Sequence, residues 1–195
     1  MLEDWEPKTK LGKMVKSNEI TSIDEILDKK KVILESEIVD YLLPNLKSIN
    51  LGVNVTQRVT DSGRRMSYRA VVLVGDEQGH VGVGVAKSSE YRKALDYALK
   101  NAKKNIIRVE MGCGSWECKC DLKHSIKFQV EGKESSSIVV LKPAPRGVGL
   151  AANDTVKAVL SLVGIKDVWA KVRGSTRNRY NVVLATIKAL KKLRG

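Results

Sequence analysis

The stretch from Val53 to Glu110 constrains the fold of this chain more than any other part of its sequence. Two glycine-containing turns, at residues 61–63 and 75–79, divide its first part into three runs, and the first run alternates apolar and polar positions. Such alternation places the apolar side chains on one face of a strand. From Tyr91 to Ile106 the apolar residues recur instead every three or four positions, which indicates an amphipathic helix. We therefore predict three antiparallel strands followed by a helix.

Another helix is predicted just before this sheet. Residues 35–46 carry a helical apolar pattern, which ends at Pro44. The order helix, three strands, helix is that of double-stranded-RNA-binding domains, which recognise RNA by its shape and its phosphates. We predict an α+β protein whose first domain, residues 35–110, is double-stranded-RNA-binding-like, with a three-stranded antiparallel sheet between two helices.

Arginines are concentrated around the first predicted turn, where four of them lie within twelve residues. Each guanidinium group is able to form two parallel hydrogen bonds to a phosphate. A solvated, charged hairpin is the alternative, although solubility alone does not require arginine in place of lysine. We predict that this hairpin contacts RNA through Arg58, Thr60, Ser62, Gly63, Arg64, Arg65 and Arg69.

The outer face of the predicted helix at residues 91–106 is also basic. Lysine-rich helix faces are often merely solvated, but Asp96 is the only acidic residue within this stripe. An unbalanced basic stripe favours a polyanionic partner. We predict that this face binds RNA through Lys93, Lys100, Lys103 and Lys104.

The basic charge of the chain lies almost wholly after its first quarter. Its formal net charge is +13, yet residues 1–50 hold 8 Lys and Arg against 10 Asp and Glu, whereas residues 51–195 hold 27 against 12. This excess predicts an anionic partner, either nucleic acid or an anionic membrane surface. No apolar run approaches the roughly 18 residues that would span a bilayer. The first ten residues do not resemble a signal peptide, so we expect a cytoplasmic protein without a membrane partner.

Gly82 and Gly84 are expected on one face of the third strand. Two positions without side chains allow another backbone to approach closely. That backbone belongs either to the following helix of the same chain, which we favour, or to RNA.

The N-terminal extension, residues 1–34, has two alternative interpretations. It is either a flexible terminus or a strap that isolated apolar residues such as Trp5 hold against another surface. We favour the strap, because large apolar side chains are uncommon in disordered tails. Within it, Ser22 and Glu25 form a capping box for a short helix that reaches about Lys30.

Residues 111–124 form a cysteine-rich connector. They supply the soft ligands that zinc prefers, namely Cys113, Cys118, Cys120 and His124. The spacing is unlike that of paired zinc knuckles, and a Cys-x-Cys pair points its sulfur atoms apart if the segment is extended. We therefore assign no metal and no other cofactor, and expect reduced cysteines in a loop packed around Trp116. Zinc stays open as the alternative.

A second domain, at residues 125–195, begins where the pattern restarts. Residues 126–132 and 136–144 read as strands, Asn153 caps a helix, residues 167–172 form a strand, and a last helix covers 178–193. This is the pattern of a two-layer α/β domain. Its predicted RNA contacts are Arg146, Lys171, Arg173, Arg177 and Arg179.

The glycine-rich segment at residues 143–152 suggests a competing function. It resembles the phosphate loop of the GHMP small-molecule kinases, because glycines before a helix are able to present N–H groups to a phosphate. The loop serines of those kinases are absent, and no paired acidic residues are available for magnesium. An ATP-binding, kinase-like protein is therefore only the alternative to an RNA-binding one.

Taken together, both domains resemble the ribosomal protein S5 family of the small subunit, in its archaeal and eukaryotic form. The matching segments are VTDSGRR, VGDEQGHVGVGVAK, AKKNII, CGSWEC, LKPAPRGVGL and GIKDVWAKVRGST. They are spread over nearly the whole chain. The resemblance implies a left-handed βαβ crossover in the second domain, which is an exception to the usual handedness.

The resemblance also implies a function without catalysis. Members of this family lie in the small subunit near the mRNA entrance channel, contact rRNA, mRNA and the ribosomal proteins S3 and S4, and support decoding accuracy and subunit assembly. The rRNA-contacting hairpin of the family corresponds to Thr60–Arg65, and its channel residues are expected among Arg64, Arg65, Arg69 and Lys87. The expected location is the cytoplasmic ribosome.

Overall fold

The computed structural model describes residues 5–29, 31–118, 120 and 122–193. The chain forms two compact units, one made of Met1–Val74 and Gly82–Ile106, the other of Gly75–Val81 and Ile107–Gly195. The second β-hairpin turn is thus assigned to the second unit. The predicted boundaries 1–34, 35–110, 111–124 and 125–195 are finer than this division and stay a prediction.

The first sheet follows the predicted order of elements. The elements in this part of the chain are α1 (Lys10–Lys16), α2 (Ile23–Asp28), α3 (Glu37–Leu42), β1 (Lys47–Thr60), β2 (Gly63–Gly75), β3 (His80–Ser88), α4 (Tyr91–Lys104) and β4 (Ile106–Arg108). The strands lie in the order β1-β2-β3-β4. The helix, sheet and helix are confirmed as predicted, but the sheet has a fourth strand. Three residues directly after a helix are too short to show a period of two, so the sequence pattern did not reveal β4.

Helix α4 lies against the sheet through its small residues. Ala94, Ala98 and Ala102 of this helix are fully buried. A Cβ added to Gly84 would lie 2.0 Å from the carbonyl oxygen of Ala98, and one added to Gly82 would lie 2.3 Å from that of Ala102. The backbone that approaches these glycines is therefore that of the chain's own helix, as we favoured.

The N-terminal extension is part of the core of the first unit. Val15, Ile20, Ile23 and Ile26 are buried and belong to the same apolar cluster as Ile38 of α3. The capping box is confirmed as well: the Glu25 N–H donates to Ser22 Oγ over 3.4 Å. The strap interpretation therefore holds for the residues that the structure describes. Residues 1–4 and 30, which the prediction also covered, lie outside them.

The second unit is a two-layer α/β arrangement, as predicted. Its elements are β5 (Val130–Glu134), β6 (Ser137–Pro143), β7 (Leu150–Ala151), α5 (Asp154–Val163), β8 (Val168–Arg173) and α6 (Arg179–Lys191). The strand order is β5-β6-β8-β7, antiparallel except for the parallel pair β7 and β8. Helix α5 therefore joins two parallel neighbouring strands. The left-handedness of this crossover stays a prediction.

Two local predictions in the second unit were wrong. The strand expected at 126–132 begins only at Val130, because the Ile126 carbonyl oxygen accepts a hydrogen bond from the Gly114 N–H at 3.0 Å and thereby pairs with the connector. The two-residue strand β7 was not predicted at all. By contrast, Asn153 caps α5 as expected, since its Oδ1 accepts from the Thr155 N–H at 3.1 Å.

Among the helices that the structure describes, none combines the length and the apolar character needed to cross a membrane.

Candidate nucleic-acid interface and Cys/His cluster

The hairpin of β1 and β2 extends beyond the apolar core of its unit. In β2 the residues from Val72 to Gly75 are buried, whereas every residue from Gln57 to Met66 is exposed. The turn consists of Asp61 and Ser62, and Thr60 Oγ1 donates to the Gly63 carbonyl oxygen at 3.0 Å. Val59 is 77% exposed although it lies on a strand. A hairpin tip that buries so little apolar surface gains little stability from the core of its own unit.

This exposed tip carries the predicted arginines. Arg58, Arg64 and Arg65 are exposed, and none of the three forms an ion pair with another described residue. Arg69 is also exposed, next to the buried Ala70. The predicted Thr60, Ser62 and Gly63 lie at the same tip, so the structure brings most of the predicted hairpin set together.

The basic residues on and before α4 differ in how far their charges are available to bind RNA. Lys87, Lys93, Lys100 and Lys104 are exposed, although Lys93 donates to Glu90 Oε1 at 3.0 Å, and this hydrogen bond raises the pKa of Lys93. Lys103 is half-buried and lies 2.6 Å from Asp40 Oδ1. Its charge is already paired within the unit, so Lys103 is a poor candidate for an RNA contact.

The second unit carries its own exposed basic set. Lys171 and Arg173 are exposed positions of β8, opposite Val140 and Ile138 of β6. Arg146, Arg177 and Arg179 are exposed as well. Arg177 and Arg179 lie at the start of α6, where the helix dipole disfavours positive charge.

The connector brings its four soft ligands to one point. Cys113, Cys118, Cys120 and His124 offer three sulfur atoms and one nitrogen, all within 4.8 Å of one another. Cys120 Sγ lies 2.9 Å from Cys118 Sγ, 3.5 Å from Cys113 Sγ and 3.3 Å from His124 Nε2. A tetrahedral zinc site with Zn–S bonds of about 2.3 Å separates two sulfur atoms by about 3.8 Å. The cluster therefore has the donors and nearly the dimensions of such a site.

The expectation of a loop packed around Trp116 was wrong. The side chain of Trp116 is 87% exposed and therefore does not form the centre of a packed loop. The sulfur atoms of Cys118 and Cys120 do not point apart, since they lie 2.9 Å from each other. Just before this pair, the Cys118 N–H closes a turn on the Ser115 carbonyl oxygen at 3.3 Å.

The two closest thiols titrate as a pair. The hydrogen bond with Cys120 is the main cause that lowers the pKa of Cys118 to about 7, and the same hydrogen bond raises the pKa of Cys120 to about 11. One member of the pair is thus readily available as a thiolate, the form that binds metals.

A buried carboxylate connects this cluster to the glycine-rich loop. Asp167 Oδ2 lies 2.8 Å from His124 Nδ1, and both side chains are 7% exposed. The other oxygen, Asp167 Oδ1, accepts hydrogen bonds from the N–H groups of Gly147 at 3.0 Å and Gly149 at 2.8 Å. Burial alone would raise the pKa of Asp167, but the Gly149 N–H, the His124 ring and the Gly147 N–H together lower it. Asp167 is therefore an anion, and both of its carboxylate oxygens accept hydrogen bonds.

The kinase-like alternative was wrong for a physical reason. The loop N–H groups that would have to receive a phosphate already bind the carboxylate of Asp167. Sequence reasoning missed this role of Asp167, which lies 43 positions after His124. The only local signal was a buried acidic residue at the start of a predicted strand.

Two protein-family models match parts of the chain. The description "Ribosomal protein S5, N-terminal domain" matches residues 46–110, and "Ribosomal protein S5, C-terminal domain" matches residues 132–195. Both ranges include exposed basic residues described above.

Similar proteins carry the name small ribosomal subunit protein uS5. The one from Staphylothermus marinus is 55% identical over 190 residues, which are 97% of this chain and 89% of that protein. The one from Methanocaldococcus jannaschii is 54% identical over 192 residues, 98% of this chain and 88% of the other. The Aeropyrum pernix protein is 51% identical over 190 residues, 97% and 87% of the two chains. The chain therefore belongs to the ribosomal protein S5 family and is a structural constituent of the small ribosomal subunit, not an enzyme.

Proposed function

We propose that the chain binds small-subunit rRNA near the mRNA entrance channel, chiefly through the tip of the β1–β2 hairpin. The observation that carries this proposal is the exposed tip, where Arg58, Arg64 and Arg65 have no acidic partner among the described residues. Guanidinium groups held on a hairpin that is poorly covered by its own unit suit the surface of a folded polyanion.

The mechanism of binding is charge neutralisation. Each Lys or Arg that reaches a phosphate releases condensed counterions, and such contacts fix the position of a protein without reading bases. Thr60, Ser62 and Gly63 add small polar groups and backbone at the turn, where a close approach of RNA is sterically easiest. On α4, Lys93, Lys100 and Lys104 form a second contact surface.

The incoming mRNA is the finer part of the proposal. Its contacts are assigned to Arg64, Arg65, Arg69 and Lys87, all of which are exposed. The proteins S3 and S4 are the proposed neighbours in the subunit, and support of decoding accuracy and assembly is the proposed outcome. The resemblance of the sequence to its family supports these assignments.

The basic set of the second unit provides further rRNA contacts. Lys171, Arg173, Arg177 and Arg179 are all exposed on β8 or at the start of α6. Arg177 and Arg179 lie near the positive end of the helix dipole, which disfavours their charge. A bound phosphate would offset this unfavourable interaction. Arg146 is the fifth member of this set.

The salt dependence of RNA binding tests the hairpin assignment. We expect the variant with Arg64→Ala and Arg65→Ala to bind small-subunit rRNA more weakly, and the slope of log affinity against log salt to fall by about 1.4 to 1.8, since each of the two phosphate contacts contributes roughly 0.7 to 0.9. Filter binding at four salt concentrations measures the slope.

A matched variant controls for net charge. Lys133→Ala with Lys157→Ala removes the same two charges from exposed positions outside the proposed set. The slope of this variant is expected to differ from the wild-type slope only by the smaller, nonspecific effect of net charge. If both double variants change the slope equally, the hairpin has no special role and the assignment is overturned.

For the Cys/His cluster we propose a single structural zinc ion. The supporting observation is the convergence of three sulfur atoms and His124 Nε2 within 4.8 Å. Zinc would be bound by Cys113, Cys118, Cys120 and His124, a Cys3His set of the kind used in closed structural sites. Elemental analysis of the purified, reduced chain is expected to give one zinc ion per chain, and its absence would overturn the proposal.

A further inference from the structure

We infer that the metal at the Cys/His cluster holds the loop Pro145–Gly149, here called the Arg146 loop, in the conformation that presents Arg146 to RNA. This inference rests on the zinc ion proposed above, and it adds a consequence: the metal governs an RNA contact that lies outside its own ligand set. One connection joins the cluster to the loop, and it lies within the second unit.

This connection runs through His124 and Asp167. When Nε2 of His124 binds a metal, its Nδ1 carries the proton and donates to Asp167 Oδ2 at 2.8 Å. The other carboxylate oxygen accepts from the N–H groups of Gly147 and Gly149. One buried carboxylate thus fixes the imidazole on one side and the loop backbone on the other.

Coordination at Nε2 would fix the position and orientation of the imidazole ring of His124. The hydrogen bond to Asp167 then persists, and with it the position of the carboxylate that the loop requires. The loop is therefore held by one carboxylate at two of its residues, Gly147 and Gly149, next to the exposed Arg146.

Besides these contacts, the loop has two backbone hydrogen bonds, from the Val148 N–H to the Pro145 carbonyl oxygen at 3.5 Å and from the Val168 N–H to the Gly149 carbonyl oxygen at 3.2 Å. Gly147 and Gly149 have φ angles of +93° and +72°, and a Cβ on either would meet no atom within 4 Å. The glycines are thus needed for their backbone conformation and not for space. Because Gly147 is exposed and Gly149 only half-buried, apolar packing contributes little to the order of the loop.

Hydrogen exchange on the full-length, reduced chain tests the inference. In the zinc-bound protein the amides of Gly147 and Gly149 are expected to be protected. Removal of zinc with a chelator should make them exchange at least tenfold faster, and zinc chloride alone should restore protection. The amides of Val139 and Leu141, in the middle of β6, should not change, because they belong to the sheet.

Two variants separate the metal from the direct loop contacts. Cys113→Ser removes a ligand whose hydrogen bonds go to Cys118 and Cys120 and not to the loop, and it should reproduce the effect of the chelator. His80→Gln is the control for histidine loss, since His80 Nδ1 forms a comparable bond to Asp76 Oδ2 at 2.6 Å outside the cluster. This second variant should keep both the zinc and the protection of the loop.

The outcomes distinguish the two proposals. A chain that binds zinc but shows the same exchange at Gly147 and Gly149 with and without it overturns the coupling, while the zinc site stands. Equal acceleration in β6 also overturns it, because the metal would then stabilise the whole unit and not this loop. A chain that binds no zinc overturns the zinc site itself.

Discussion

At the scale of single residues, acidic side chains determine which basic side chains and backbone N–H groups are still available to bind an anionic partner. Asp40 pairs with Lys103 across 63 positions of sequence, and Asp167 occupies the loop N–H groups that resembled a phosphate site. Neither pairing has a local spacing signal, because each depends on which segments the fold brings together. Exposure of Arg64 and Arg65 was predictable, since they flank a turn in a polar run.

The buried side chain of Asp76 makes the stability of the chain depend on pH, and this dependence can be tested. This side chain accepts hydrogen bonds from the Gln78 N–H at 2.8 Å and from the His80 N–H at 3.0 Å, besides the bond to the His80 ring. Burial alone would raise the pKa of Asp76, but the His80 ring and these N–H groups lower it. The ionised form therefore adds stability above the unfolded-state pKa of about 3.9, which is lost as the pH falls through the lower folded-state pKa.

We expect Asp76→Asn to lower the free energy of unfolding by about 1 to 2 kcal/mol at pH 7. The difference from the wild-type chain should shrink as the pH falls below the unfolded-state pKa of about 3.9 and through the lower folded-state pKa of Asp76. Urea unfolding at pH 7 and pH 3 measures both values. Asp61→Asn, the same change at an exposed turn, should stay within about 0.5 kcal/mol. A difference that is constant with pH would refute the role of the charge.

At the scale of elements, the short helices α1 and α2 show why an extension rich in charge is ordered. Their apolar residues are few, but Val15, Ile23 and Ile26 are all buried in the core of the first unit. A helix of six or seven residues has little stability of its own, so this packing is what maintains it.

Ile26→Ala tests whether the extension belongs to the core. Ile26 is completely buried, so we expect the free energy of unfolding to fall by about 2 to 5 kcal/mol. Leu34→Ala removes a comparable side chain that is 63% exposed, and it should cost less than about 0.5 kcal/mol. Urea unfolding of both variants gives the comparison. Equal, small costs would mean that the extension is not part of the folded unit in solution.

The sequence patterns predicted long elements better than short ones. The strands of the first hairpin and the helices α4, α5 and α6 have enough residues for a period to appear. Strands β4 and β7 have three and two residues, and only their neighbours in the sheet make them strands. The Cys/His cluster was visible as a set of ligands, but its geometry depends on a turn that the spacing did not predict.

At the scale of the whole molecule, the chain carries exposed basic residues on both compact units. As a member of the ribosomal protein S5 family it functions in the cytoplasmic ribosome, with rRNA and ribosomal proteins as partners. We propose that the main attachment to rRNA is at the tip of the first hairpin, because Arg58, Arg64 and Arg65 are exposed there and have no acidic partner among the described residues.

Incorporation into small subunits tests this central claim most directly. A tagged chain with Arg64→Glu and Arg65→Glu is expressed beside the untagged protein, and its share of the sedimented small subunits is measured. We predict at least a tenfold smaller share than for the tagged wild-type chain, while Lys133→Glu with Lys157→Glu, the matched reversal, stays close to wild type. Undiminished incorporation of the arginine variant would contradict the account.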